Sequence, residues 1–334
     1  MDRKYRAAVI GLGKQATEDH LPGVLNSQHV ELTSVCDTDT EKTDRIASEL
    51  GVSGYSDHRK LIEVECPDFV IVATPHNTHA TIVEDAANAS VHVLKEKPFA
   101  TSGQEANHLA DLAQRNGIEI MTTLQRRFNP IYTSFFQLAD QIGDPFFLDV
   151  HYTLFVDSPH AGWRGSRANA GGGCIIDMGY HMLDLVIWYL GIPSGVVATT
   201  SSRAIGEASY DAEDTASILL RWPSGLHGSC VLSRFLAPKR ESLRLVGPNG
   251  QVQVERGSIK RLTKDGTVAE HLTREGSWDA AAAAQVDYFC RVLAGERRNI
   301  GDATYHRQHA AVIDACYESV STGSFVDPRK ALAT

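Results

Sequence analysis

The chain opens on an apolar run, Ala7-Ala8-Val9-Ile10, that stops at Gly11-Leu12-Gly13. An apolar run closed by glycine is the pattern of a strand buried on both faces of a parallel sheet. This predicts a first strand over 5–10. The pattern returns at 30–36, 69–73, 91–94 and 118–122. Between these runs the apolar positions take helical spacing: 40–50, stopped by Gly51, then about 80–89 and 102–116. A helix also follows Gly13, and Pro22 is expected to end or kink it. Strands alternating with helices predict an α/β fold with a doubly wound parallel sheet. Ligands of such sheets bind at the carboxyl ends of the strands. The loops at 11–16, 37–38, 74–79, 95–98 and 123–127 all leave from those ends and should line one crevice.

Residues 11–16 read Gly-Leu-Gly-Lys-Gln-Ala, a GxGxxA turn between strand and helix. Gly11 permits the tight turn, Gly13 lets a pyrophosphate approach the backbone, and Ala16 lets helix and strand pack closely. The N–H groups at the helix start then face the anion. The second strand ends at Asp37, where a carboxylate accepts the ribose hydroxyls of a dinucleotide. Thr38 rather than arginine follows, and Asp37 would repel a 2′-phosphate. The expected cofactor is therefore NAD rather than NADP.

The bulk numbers narrow the function classes. At 334 residues two domains are expected, and 43% hydrophobic residues suffice for a sizeable core. A formal charge of −9 without a basic block argues against nucleic acid as a partner. The six cysteines form no CxxC pair and several lie in apolar runs, which reads as buried thiols in a reducing compartment. The apolar run at 7–13 is short and broken by glycine, so it is a strand rather than a signal peptide. No stretch reaches the roughly 18 apolar residues of a spanning helix. The expected location is the cytoplasm, with no membrane partner.

Three further groups of residues carry candidate chemistry. The loop Thr74-Pro75-His76-Asn77-Thr78-His79 holds two histidines three apart. No cysteine or carboxylate cluster accompanies them, so no metal is expected. They read as cofactor contacts or as a cap for the helix at 80. Lys95-Glu96-Lys97-Pro98 follows a buried strand. A lysine there can hold a substrate oxygen and stabilise negative charge on it, and partial burial would lower its pKa; the alternative is a solvated charge. The Lys97–Pro98 bond is a candidate cis peptide.

The third group is the run Gly171 to Asp184, three glycines and then Asp177, His181 and Asp184. The glycines read as a flexible or closely approached loop, followed by one helix that reaches Gly191. On such a helix Asp177, His181 and Asp184 fall within about 60° of one face, beside an apolar stripe of Met182, Leu185, Val186 and Tyr189. A carboxylate beside a histidine suits a general base. A structural His–Asp brace at the domain junction accounts for the same residues, and Asp184 alone favours that account.

Taken together, GxGxxA, Asp37, the TPxxxH stretch, Glu96-Lys97-Pro98 and GGGxxxDxGxHxxD at 171–184 resemble the glucose–fructose oxidoreductase / inositol 2-dehydrogenase / MocA (Gfo/Idh/MocA) family. Gln125-Arg126-Arg127-Phe128 and Trp163-Arg164 extend the match over nearly the whole chain. The resemblance implies a Rossmann domain over 1–124 and a second α+β domain over 125–334 with a large, mainly antiparallel open sheet. Alternating runs at 146–155, 195–203, 214–222, 225–234 and 241–255 agree with such a sheet. A C-terminal helix at 302–321 is expected to pack back on the first domain.

The resemblance also implies Lys97, Asp177 and His181 as catalytic residues, and sugars, inositols or related polyols as substrates. The implied cofactor contacts are Gly11, Leu12, Gly13, Lys14, Gln15, Asp37, Thr38, Thr74, Pro75, His76, Asn77, His79, Glu96, Lys97, Gln125, Trp163 and Arg164. Substrate contacts are expected from Lys97, Arg126, Arg127, His160, Trp163, Arg164, Asp177, His181 and the 157–170 loop. The active site should lie in the cleft between the domains, and the sheet should form a homodimer or homotetramer. Ala16 departs from the usual third glycine, and the missing arginine after Asp37 leaves NADP disfavoured. Hydride transfer at a ring secondary alcohol is the expected reaction. A redox-neutral glycoside hydrolase of the same fold is the alternative, and a non-catalytic regulator is disfavoured because Lys97 and His181 are both present.

Overall fold

The computed structural model describes residues 3–159, 161–204, 206, 210–273 and 278–332. The chain divides into two compact units. The first takes residues 1–100, 104–128 and 277–306; the second takes 101–103, 129–276 and 307–334. A single cut at 124/125 therefore differs from this grouping chiefly at 277–306, which joins the first unit. The reason is core packing. In the helix Trp278–Leu293, the residues Val286, Phe289, Cys290 and Val292 are buried in one cluster with Val9, Phe69 and Leu94. Phe289 meets Phe69 edge to face at 5.3 Å. Most of the helix Ala303–Thr322, from residue 307 on, groups with the second unit.

The first unit is built on six strands: β1 (Tyr5–Ile10), β2 (Val30–Cys36), β3 (Ser53–Tyr55), β4 (Phe69–Val72), β5 (His92–Lys95) and β6 (Ile120–Thr122). They pair in the order β3-β2-β1-β4-β5-β6, every pair parallel. The doubly wound sheet is as the periodicity predicts. β3 and the helix His58–Glu65 were not expected; β3 has only three residues, two of them exposed, so it carries no apolar signal. The strand order reverses between β1 and β4, and outside that reversal such sheets bind their ligands. The outer edge of β6 is covered from within the unit: Thr122 N–H donates to Gly301 O at 3.1 Å, and Asn299 Nδ2 donates to Ile120 O at 3.0 Å.

Pro22 does not end the first helix. A π-helical turn, Ala16–His20, precedes it, and an α-helical turn, Leu21–Leu25, carries the proline near its start. Proline has no N–H and its ring crowds the carbonyl four residues back. The widened π turn, closed by Leu21 N–H on Ala16 O, takes the chain past that point. Gly51 ends the helix Thr40–Leu50 with φ +67°, as the sequence predicts.

The second unit holds eight strands: β7 (Phe147–Phe155), β8 (Gly195–Ser201), β9 (Thr215–Arg221), β10 (His227–Ser233), β11 (Phe235–Gly247), β12 (Gly250–Glu255), β13 (Ser258–Leu262) and β14 (Val268–Thr273). Their order is β14-β13-β12-β11-β7-β10-β9-β8, antiparallel except for the parallel pair β7–β10. The run read as one strand over 241–255 is two, β11 and β12, joined at Pro248-Asn249, residues suited to a turn. One face of the sheet buries Leu148, Val150, Ile218, Leu220, Cys230, Leu232, Leu243 and Leu245 at alternate positions. The helix Gly179–Leu190 lies on this side; a Cβ on Gly179 would stand 2.6 Å from Leu232 Cδ1.

Among the described residues no helix is long and apolar enough to cross a membrane. All six cysteines are free; five are buried and Cys66 is exposed.

Candidate active site

The glycine turn after β1 is wedged between two strand ends. Gly11 N–H donates to Cys36 O and Ala73 N–H donates to Ile10 O, both at 2.8 Å. Gly11 has φ +92°, and a Cβ there would stand 2.6 Å from Ala73 O, so no other residue fits. Gly13, by contrast, has nothing within 4 Å of its missing Cβ, which leaves its backbone open to a ligand. Ala16 is buried and Lys14 and Gln15 are exposed on the first turn. Asp37 closes the cradle, with its carboxylate accepting from Leu12 N–H at 2.7 Å and from Asp39 N–H at 3.0 Å. An open glycine turn with an acid fixed at its side fits a dinucleotide's pyrophosphate and ribose. Thr38 is exposed beside it. No arginine follows Asp37, but Lys42, in the next helix, lies 3.7 Å from its carboxylate.

The next loop leaves β4. Asn77 is exposed, Thr74 and Pro75 are half-buried, and His76 and His79 are buried with rings 6.0 Å apart. His79 bonds Thr74 O through Nε2 at 2.9 Å. Burial, with Lys95 and His76 nearby, holds it well below the usual histidine range. His79 therefore braces the Thr74 loop as a neutral ring. Among the described residues no group of three or more His, Cys, Asp or Glu could hold a metal.

The loop after β5 separates its two lysines. Lys95 is fully buried, and its Nζ donates to Pro98 O at 3.0 Å and Phe99 O at 2.6 Å. Burial pulls this lysine from 10.5 down to about 7, against the opposing charges of Glu105 and Glu96. Lys95 thus grips the loop from inside. Lys97 is half-buried and its peptide bond to Pro98 is cis. Its N–H donates to Glu96 Oε2 at 3.2 Å. Glu96 also accepts from His20 Nε2 at 2.9 Å and Thr123 Oγ1 at 2.8 Å. Burial pushes the Glu96 carboxyl upward, but these bonds with the charges of His20 and Lys97 outweigh it and hold it below its ordinary value. Gln125, after β6, donates to Asp19 at 3.2 Å.

Arg126 and Arg127 are both buried. Arg127 donates to Ile300 O at 2.7 Å and stacks 4.1 Å from the Tyr305 ring centre. Its guanidinium thus makes two contacts within the first unit.

In the second unit the glycine run is a close approach rather than a flexible loop. A Cβ on Gly173 would stand 1.9 Å from Glu213 O, and one on Gly172 would stand 1.8 Å from Tyr317 Oη. Glu213, buried and not anticipated from sequence, accepts from Gly173 N–H at 2.8 Å, Ile175 N–H at 2.9 Å and Tyr317 Oη at 2.9 Å. It satisfies the leading N–H groups of the short helix Cys174–Asp177. That helix stops at Met178, and a second runs Gly179–Leu190. Met178 between them keeps right-handed helical dihedrals, φ −81° and ψ −44°, and its N–H donates to Cys174 O at 3.1 Å. Asp184 is buried.

The Asp177 carboxylate meets Arg234 Nη2 at 3.0 Å and Arg164 Nε at 3.6 Å. Arg164 is exposed and lies 4.3 Å from the ring centre of Trp163. His181 is half-buried, 6.5 Å from Tyr152 between ring centres. His160 lies outside the described residues. Arg234 was not anticipated, yet a signal existed. It continues the inward series Gly228, Cys230, Leu232, where an arginine on a buried phase calls for a partner.

Residues 5–123 match a family described as an oxidoreductase family with an NAD-binding Rossmann fold, and residues 138–253 match the GFO/IDH/MocA C-terminal domain. The chain is 29% identical to D-glucoside 3-dehydrogenase of Escherichia coli, over 96% of this chain and 97% of that one. It is 26% identical to scyllo-inositol 2-dehydrogenase (NAD(+)) of Bacillus subtilis, over 75% and 74%. The fold is shared with the WlbA dehydrogenase of Bordetella pertussis, solved with NADH and UDP-GlcNAcA. That likeness has TM-score 0.85 and 23% identity, over 97% of this chain and 99% of that one.

Proposed function

The chain belongs to the Gfo/Idh/MocA oxidoreductases, and on that footing we propose that it moves a hydride between NAD and a ring secondary alcohol or ketone of a sugar, aminosugar or cyclitol. The observation that carries the reading is in the first unit. The open glycine turn with Asp37 and the Lys97 loop leave strand ends on one side of a single parallel sheet, about the point where its strand order reverses.

NAD, when bound, supplies the hydride acceptor; all else is the chain's own work. Lys97 holds the carbinol oxygen and stabilises negative charge as it develops there. His181 takes the hydroxyl proton in oxidation and returns it in reduction. Asp177 orients His181 or the substrate, and Trp163 and Arg164 bound the substrate. Relatives named for D-glucosides and scyllo-inositol support polyols as the substrate class. The proposed assembly is a homodimer or homotetramer through the open face of the eight-stranded sheet. Val197 and Leu219 stand opposite each other there, between the buried positions.

The test is NADH absorbance over a panel of sugars, aminosugars and cyclitols, with NADP run in parallel. Oxidation with NAD is expected, and Lys97→Ala should lower kcat by on the order of 10²–10⁴-fold. Near-normal turnover in that variant would refute the assignment of Lys97. Glycoside cleavage without net NADH would replace the dehydrogenase reading with a redox-neutral one.

A further inference from the structure

We propose that Arg234 is the positioning residue of the acid–base half: it holds Asp177 as a standing carboxylate and ties it to the Trp163-Arg164 segment, so that Asp177 orients while His181 carries the proton. This rests on the placing of Asp177 and His181 in the reaction above.

Arg234 is 3% exposed. A guanidinium at that depth stays charged and needs a partner, since an unpaired buried charge is costly. Its Nη2 donates to Asp177 Oδ2 at 3.0 Å, its Nη1 lies 3.4 Å from Arg164 O, and its backbone N–H donates to Asp214 O at 2.9 Å. One planar fork thus spans the carboxylate of one segment and the carbonyl of another, a geometry that an ammonium cannot copy.

The neighbouring charges do not compete for Asp177's role. Glu213 is taken by Gly173, Ile175 and Tyr317. Asp214 accepts from Tyr210, Thr215 and Ala204. The buried Cys174 thiol, on Asp177's own helix, is held well above its ordinary value by burial and by Glu213, so it stays neutral. Arg164 adds a second positive charge at 3.6 Å from the same Asp177 oxygen. A carboxylate between two guanidiniums is a poor proton acceptor, because both cations oppose its protonation. That leaves the proton to His181.

Two variants separate this from a merely structural arginine. Arg234→Met removes the charge, which raises the pKa of every titrating group beside it. The acidic limb of kcat/KM should move up by about one pH unit or more. Arg234→Lys keeps the charge and loses the fork. Its acidic limb should stay in place while kcat falls on the order of 10–10²-fold.

A second readout is independent of activity. The Asp177 carboxyl, labelled with ¹³C and identified by its loss in Asp177→Asn, should titrate below about 3.9 in the wild type and higher by about one to three pH units in Arg234→Met. An unmoved limb and an unmoved titration in Arg234→Met overturn the proposal. So does a wild-type Asp177 titrating at or above about 3.9, which decides the matter even if Arg234→Met does not fold. A wild type that oxidises no polyol in the panel overturns the dehydrogenase reading instead, and the titration then still tests the Arg234–Asp177 lock.

Discussion

Replacing Lys95 by methionine should invert the usual effect of removing a buried lysine's hydrogen bonds, and the size follows from where the charge sits. Lys95 Nζ has no solvent exposure, and burial moves it from 10.5 in an open chain to about 7 in the folded unit. Below pH 7 both states hold the proton, and the folded state carries the full cost of a buried ammonium. That gap corresponds to about 5 kcal/mol at 1.36 kcal/mol per pH unit. Between pH 7 and 10.5 the unfolded chain keeps a proton that the folded chain has released, so wild-type stability rises with pH. Methionine cannot titrate and removes this dependence. It also loses the bonds to Pro98 O and Phe99 O, which as bonds of the neutral amine are worth about 0.5–1.5 kcal/mol each. The relieved cost exceeds the lost bonds at pH 7, so the variant should be more stable than wild type there by about 1–3 kcal/mol. From pH 7 to 9 the wild type should gain about 2 kcal/mol on the variant. Urea unfolding of both proteins at pH 6 to 10 reads the difference directly, since every other titrating group is common to the pair. Parallel stability curves over that range would show that Lys95 carries no depressed proton, and the argument would fail.

Other substitutions test each unit in turn. Glu213→Gln leaves one acceptor where two N–H groups and a hydroxyl converge, and should cost the second unit about 2–4 kcal/mol in urea unfolding. It should also lower kcat, because the short helix that carries Asp177 at its far end loses its anchor; a stability change within about 0.5 kcal/mol would remove Glu213 from that role. Asp37→Ala removes the acceptor of Leu12 N–H and the counter-charge of Lys42. The KM for NAD should rise about 10–100-fold while that for NADP falls. Equal changes for both cofactors would contradict the discrimination assigned to Asp37.

The parallel sheet was legible because burial on both faces leaves an unmistakable mark, short apolar runs closed by glycine and separated by helical spacing. The second sheet was partly legible. β9 and β10 alternate cleanly, while the turn at Pro248-Asn249 between β11 and β12 passed unseen within one continuous alternation. The Rossmann turn and Asp37 could be named from their residue types and spacing, whereas Lys97, Asp177 and His181 were left open by spacing and singled out only by the family resemblance. Their supporting residues were separated from them along the chain. Lys95 hides in an apolar strand, Glu213 sits forty residues from the N–H groups it caps, and Arg234 is 57 residues from Asp177.

By itself the sequence determined the elements and the residues able to do chemistry, since periodicity and local turns follow from neighbours along the chain. Only the tertiary structure decided which charges are buried, which are paired and how the ends of the chain are used. It turned the glycine run into a backbone contact with Glu213, buried Lys95 beneath the Lys97 loop with its charge weakened by burial, and set a guanidinium against Asp177. Burial and pairing are properties of segments distant along the chain, and no local pattern encodes the dielectric around a side chain or the charge that arrives to meet it.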